Sequence, residues 1–277
     1  MEVKLLNPEI LDTLYRNHGQ FACICYDTPM DRAEQVGSKC QVSGHMSGSR
    51  CEYIKFLITD VDRGTAEQCL RHEIGTAIPY EMQDNYYIAD YSEMVINVPP
   101  DQIVKNMASF RYIDKRGFNW ETPARVKHCE EANSAYQKGM QALRQSRNDV
   151  RAALIKAGYT PQEATEDANM MLARATTTSL VIGMTPEALI HFCHKRLCLR
   201  VQEFIRRIAR QMKEEVQEHN ARFAKELMPH CEHLLWCPEG ERCCGMAPTK
   251  AQLKAFLEAY KTELKQFVGG GADGTIS

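Results

Sequence analysis

From residue 123 onward almost every stretch of this chain carries apolar residues at helical spacing, and two stretches open on the same pair, Thr160-Pro161 and Thr185-Pro186. Threonine before proline is a strong helix start. The hydroxyl accepts a hydrogen bond from a first-turn amide, and proline's fixed φ and missing N–H suit the first helical position. The pattern predicts helices over 123–145 and over 146–158, the second with Ser146 as cap and Gly158 as stop. Further helices follow at 161 and 186, and the longest spans 199–227. The first hundred residues read differently. "EVKLL" is a short strand and a helix starts near Pro8. The Gly/Ser-rich 37–51 is a loop. Residues 52–62 alternate as a strand, 63–72 are helical, and 91–100 form a second strand stopped by Pro99-Pro100. The expected fold is α+β, a small antiparallel or mixed sheet packed with long helices. One domain over 1–268 is expected, with a Cys-rich extension at 231–249 and a flexible tail at 269–277.

Composition excludes several functions. Lys and Arg number 34 against 36 Asp and Glu, a formal net charge of −2, so no global basic field awaits nucleic acid. The basic run 195–213 is followed at once by acids and reads as a solvated or subunit-interface face. No apolar run approaches the roughly 20 residues of a membrane span, and "MEVKLLNPEI" has no signal-peptide core. A cytoplasmic address follows, where the 12 cysteines are expected as thiols. His230, Cys231, His233, Cys237, Cys243 and Cys244 cluster without a close CxxC pair. Two readings stay open: reduced thiols packed around Trp236, with no metal, or a zinc-bearing helical interaction module that is no enzyme. The Met-rich 169–173 reads as core.

The segment 178–209 carries His191, Arg196, Arg200, Gln202 and Arg206 through and after an amphipathic helix. Spacing alone makes this a solvated basic face. The order of residues says more. His191-Phe192, then Arg196, then Arg200-Val201-Gln202 and Ile205-Arg206, resembles a segment of the flavin-dependent thymidylate synthases. Ser43-Gly44-His45, Gln68…Arg71-His72, "INVPP" at 96–100 and the 160–185 layout follow that family's order. Residues 231–249 resemble a C-terminal extension found in some members.

The resemblance implies the family's α+β fold and a homotetramer with active sites shared between subunits. It implies bound FAD, reduced by NADPH, and reductive methylation of dUMP to dTMP with methylenetetrahydrofolate. Arg196 sits at the family position beside the pyrimidine carbonyl, where a guanidinium stabilises developing negative charge. His45, Ser47, Arg71, His72, His191 and Arg200 fall at flavin-side positions, and Gln68 and Gln202 at pyrimidine- or flavin-side positions.

The phosphate side departs from the family. Its Arg-His-Arg reads Arg71-His72-Glu73 here. A two-residue insertion restores Glu81 and Tyr86 to the family's Glu and Tyr, leaving Gln83 and Asn85 where the family has Ser and Arg. Another phosphate-side arginine aligns with Asn169, with Arg174 a turn later. A phosphate monoester carries nearly two negative charges, and holding it among carboxylates without a cation costs several kcal/mol. Three outcomes are open. The phosphate grip is rebuilt through Arg174, Arg200 or Lys195; a different pyrimidine is modified; or catalysis is lost and the chain is a binding or subunit protein.

Overall fold

A computed structural model describes residues 1–70, 103–108, 115 and 117–269. Its four-stranded sheet comprises β1 Glu2–Leu5, β2 Ile54–Asp62, β3 Ile103–Met107 and β4 Thr177–Met184. The strand order is β1-β2-β4-β3, with every neighbouring pair antiparallel. In chain order the helices begin with α1 Glu9–Cys25, α2 Ala33–Val42, α3 Arg63–Leu70, α4 Ala124–Lys127, α5 Glu130–Lys156 and α6 Pro161–Asn169. They continue with α7 Pro186–Arg196, α8 Glu203–His219, α9 Ala221–Ala224, α10 His230–Leu234 and α11 Lys250–Gly269. A small antiparallel sheet packed with long helices is the α+β fold the resemblance implied.

The strand β2 buries Ile54, Phe56 and Ile58 in turn, as a side-chain period of two requires. The alternation breaks at Asp60, whose φ is 51°, a left-handed conformation that Asp tolerates better than most residues. The register against β4 shifts between Ile58 and Val61. This one-residue bulge turns Asp62 inward, where its Oδ1 accepts a hydrogen bond from the Thr65 N–H at 2.8 Å. Strand therefore passes into α3 with no loop, and the start of α3 is fixed against the sheet.

The core joins α1, α7 and α8 to the sheet. Phe56, Ile58, Ile182, Leu189, Phe192, Ile205, Ile208 and Met212 are all fully buried within one cluster. The α8 face of Phe204, Ile205, Ile208, Ala209, Met212 and Val216 recurs at helical spacing. Burial of each large aliphatic side chain contributes about 1.5–3 kcal/mol.

Both Thr-Pro starts are caps. The Thr160 hydroxyl and the Glu163 side chain form a reciprocal capping box, and the Thr185 hydroxyl accepts from the Ala188 N–H at 3.2 Å. Elsewhere the structure corrects the sequence reading. The stretch 37–42 is helix, because Gly37 lies where α2 crosses α1. A Cβ there would come 1.9 Å from the Tyr15 carbonyl oxygen, so the glycine serves contact and not a turn. No break occurs at Ser146; α5 runs through it for 27 residues, with the neighbouring Arg147 drawn into the interior. The helix from 199 is shorter than expected. It ends at His219, since Asn220 accepts from the Phe223 N–H and donates to the Leu11 carbonyl, starting α9. Met170 is 84% exposed, not core. The proposed strand 91–100 and most of the tail lie outside the described residues. No helix among the described residues is long and apolar enough to cross a membrane.

Candidate functional site

Arg196 closes α7, sharing its last turn with His194 and Lys195, where cations meet the negative end of the helix dipole. The guanidinium folds back toward α3. Burial lowers its pKa, with the Cys69 thiol as its one opposing electrostatic neighbour. Among the described residues it forms no ion pair, and its Nε is buried without an acceptor. Cys69 is itself fully buried, which pushes its thiol up to about 12 and keeps it neutral. A half-buried guanidinium with an unmet donor is poised for an incoming oxygen.

Beside it, α3 and the start of α8 are tied by Gln68 Nε2 donating to Gln202 Oε1 at 2.5 Å. Both glutamines line a cavity of about 340 Å³ with Asp62, Gly64, Glu121, Tyr136 and Arg174. The sequence candidates Gln68, Gln202 and Arg174 therefore meet. Among the described residues Arg174 is the one cation lining this cavity. It is 73% exposed at the side chain and lies 3.5 Å from Glu67, while Glu121 faces Arg207 at 3.3 Å.

The remaining candidates lie elsewhere. Asn169 is buried, and its Oδ1 accepts from Nε and Nη2 of the fully buried Arg147 at 3.0 and 2.7 Å. His45 and Ser47 are exposed at the entrance to a short 3-10 turn, Ser47–Cys51. That turn is held to α7 by Arg50, whose Nε meets Glu187 at 2.6 Å, one helical turn before His191. Burial lowers the His191 pKa, with Lys195 adding to the effect. Arg71, His72, Glu81, Gln83 and Asn85 lie outside the described residues.

Arg200 turns to the C-terminal segment, its Nε donating to the Arg242 carbonyl at 2.9 Å and its Nη2 approaching that of Cys243 at 3.4 Å. With Lys195 it lines a second, larger cleft of about 880 Å³ between α7, α8 and residues 229–246. Of the three substitute cations considered for a phosphate, Arg174 alone shares a cavity with the two glutamines. In the larger cleft His194 packs against His230 and His233, ring centroids 5.2 and 4.9 Å away. Burial and these imidazoles lower His194 to about 4. Among the described residues no group of three or more His, Cys, Asp or Glu side chains is arranged to hold a metal ion. Trp236 faces the Lys250 ammonium at 5.3 Å.

Sequence reading missed Asp62, Glu121 and Tyr136 as cavity residues. The one available signal was Asp62 at the strand's end, just before a helical stretch with no turn residues between them. Glu121 and Tyr136 carried none, because the bridge of Trp120 to Thr176 that brings this stretch to the sheet is long-range.

A family model described as thymidylate synthase complementing protein matches residues 16–220. A flavin-dependent thymidylate synthase of Nitratidesulfovibrio vulgaris (strain Hildenborough) is 29% identical over 216 residues, covering 76% of this chain and 75% of that protein. One of Clostridium tetani is 28% identical over 205 residues, 74% of each chain. One of Thermococcus kodakarensis is 40% identical over 81 residues, 27% of this chain and 33% of its own. The matched family region stops short of α10, so the Cys-rich segment lies beyond it.

Proposed function

We propose that this chain, which belongs to the thymidylate synthase complementing protein family as a divergent flavin-dependent thymidylate synthase, binds FAD and reductively methylates a pyrimidine nucleotide. dUMP is the first candidate, with NADPH and methylenetetrahydrofolate as co-substrates. The observation that carries the reading is Arg196. Its Nε, buried without an acceptor among the described residues, neighbours Cys69, next in sequence to the Gln68 that pairs with Gln202, and fits a planar ring bearing carbonyl oxygens. Bound flavin would supply reducing equivalents; the chain's own residues bind, orient and stabilise charge. Arg196 would face the pyrimidine carbonyl and hold the negative charge that develops there. Gln68 and Gln202, with both donors and acceptors, would orient the base edge. His45, Ser47, His191 and Arg200 remain the proposed flavin-side residues, joined by Arg71 and His72. Glu81, Gln83 and Asn85 remain proposed on the substrate side. Because Asn169 accepts from Arg147, we assign it support of that arginine and leave Arg174 as the phosphate-side cation.

One observation favours a second reading. Asp62 and Glu121 line the cavity, and Arg174, its one lining cation among the described residues, is already met by Glu67, a poor setting for a phosphate dianion. A pyrimidine other than dUMP, or one with its phosphate held elsewhere, fits that charge pattern. The test is direct. Purified protein is loaded with FAD and supplied with NADPH, methylenetetrahydrofolate and either dUMP, dCMP or deoxyuridine, and methylated product is read by chromatography. Product from dUMP supports the first reading and product from another arm the second. Arg196→Ala should lower kcat/KM at least a hundredfold with flavin absorbance retained. Protein that takes up no flavin and forms no product in any arm overturns both.

A further inference from the structure

The Cys-rich segment lies outside the matched family region, yet it is built onto a family residue, because Arg200 holds the carbonyls of Arg242 and Cys243. Two of its thiols are brought together by backbone geometry. Cys237 is fixed by its N–H donating to the Pro248 carbonyl at 2.7 Å and by a bridge to Thr249, and it is buried. The chain then passes through a short 3-10 turn, Gly240–Arg242, and returns Cys243 to it. Gly245, with φ of 87°, turns its own N–H onto the Cys243 sulfur at 3.3 Å. Cys243 Sγ also meets the Ala247 carbonyl at 3.2 Å, next to the Pro248 that fixes Cys237, so both thiols lie along the same 247–249 stretch, and neither is in a disulfide.

We propose that Cys237 and Cys243 form a peroxide-sensitive dithiol, with Cys243 the attacking sulfur and Cys237 the resolving one. The geometry supplies what each role needs. The Gly245 amide, 3.3 Å from the sulfur, and at longer range the Arg200 guanidinium favour the Cys243 thiolate, the nucleophilic form. The Glu239 amide lowers Cys237, but burial and the neighbouring Cys243 outweigh it and raise the thiol. Both cysteines are held against the same 247–249 stretch, so resolution requires little chain movement. In the first step the Cys243 thiolate attacks peroxide. A sulfur–oxygen bond forms, the oxygen–oxygen bond breaks and hydroxide leaves. In the second the Cys237 thiol attacks the sulfenic sulfur, forming the disulfide and releasing water that carries its proton. Two thiols are oxidised as one peroxide is reduced. The product fixes the 237–243 turn and removes the thiolate beside Arg200. Cys244 is exposed, and Cys231 is raised by burial and by Cys198.

The test uses the full-length, fully reduced protein titrated with hydrogen peroxide, then alkylated, digested and mapped by mass spectrometry. The expected result is a linked Cys237–Cys243 peptide formed before modification of the exposed Cys25, Cys129 and Cys244, and reversed by a thiol reductant. Cys237→Ser should stop at the sulfenic acid, trapped at Cys243 by a diketone probe. Because Cys237 is buried and its variant can fail to fold, the unsubstituted protein is also pulsed with iodoacetamide near neutral pH. Cys243 should label several-fold faster than Cys244. First oxidation at another cysteine, equal labelling rates, or stoichiometric zinc bound to these sulfurs in the purified protein overturns the assignment.

Discussion

Removing the Asn169 carboxamide tests whether this residue supports structure or ligand. Its Oδ1 accepts two hydrogen bonds, at 3.0 and 2.7 Å, from an arginine with no solvent exposure. Hydrogen bonds to a charged partner contribute about 1.5–3 kcal/mol each. Asn169→Ala should therefore cost about 3–5 kcal/mol. In a chain of this size about 2–4 °C of Tm accompanies each kcal/mol, so a fall of about 10 °C is expected by calorimetry at fixed protein concentration. Asn169→Asp keeps an acceptor and supplies the opposite charge, so it should hold Tm near that of the unsubstituted protein. Asn169→Arg should be the worst of the three, because it sets two guanidinium groups together in the interior. An Ala variant within 2 °C of the unsubstituted protein, or an Arg variant more stable than the Asp one, would refute the structural role and return Asn169 to the substrate side.

Two further expectations follow from packing and charge. Gly37→Ala places a Cβ 1.9 Å from the Tyr15 carbonyl and should cost about 3 kcal/mol or more. Gly139→Ala, in mid-α5 with nothing within 4 Å, should stabilise by about 0.5–1 kcal/mol; urea midpoints of the pair measure the contrast. His194, lowered to about 4 by burial and its imidazole neighbours, binds its proton more weakly folded than unfolded. Stability should thus fall as pH drops from 6.5 toward 4 and level off below that. His194→Gln should flatten the slope of Tm against pH over that window, and an unchanged slope would count against the histidine stack as its cause.

How far the sequence could be read follows from the range of each interaction. Thr160 and Thr185 were legible because a cap reaches only three residues, and both caps formed. The α8 stripe was legible because period reports a buried face directly. Gly37 misled because a glycine for turning and a glycine for helix contact look alike until the partner helix is placed. The unbroken α5 was missed for a similar reason. Arg147 is answered by Asn169, 22 positions away, so Ser146 beside it read as a cap. Within the site, Gln68, Gln202 and Arg174 line one cavity. The acids around them, Asp62 and Glu121, owe their places to a bulge at Asp60 and to the Trp120–Thr176 bridge, and neither has a local signature.

The proposed site residues divide by surface, and that division bears on assembly. His191 and Arg196 share α7 but lie five positions apart, which is ~7.5 Å along the axis and ~140° around it. His191 lies one turn beyond Glu187, which holds Arg50 of the turn that carries Ser47, whereas Arg196 neighbours Cys69 of α3, the residue after Gln68. Arg200 is directed to a third surface, the C-terminal segment. If an active site is made where subunits meet, the His191 surface of one chain completes the Arg196 surface of another. Subunit complementation separates this from a site held in one chain. Arg196→Ala and His191→Ala proteins, each inactive alone, are mixed in equal amounts, partly unfolded and reassembled. A site needs a native Arg196 from one subunit and a native His191 from its neighbour. Random mixing gives each with probability one half, so about a quarter of the unsubstituted activity should return. Recovery indistinguishable from zero, with both variants still exchanging subunits by native mass spectrometry, would mean that both residues act within one chain. The three surfaces would then have to converge by a movement of α7 instead.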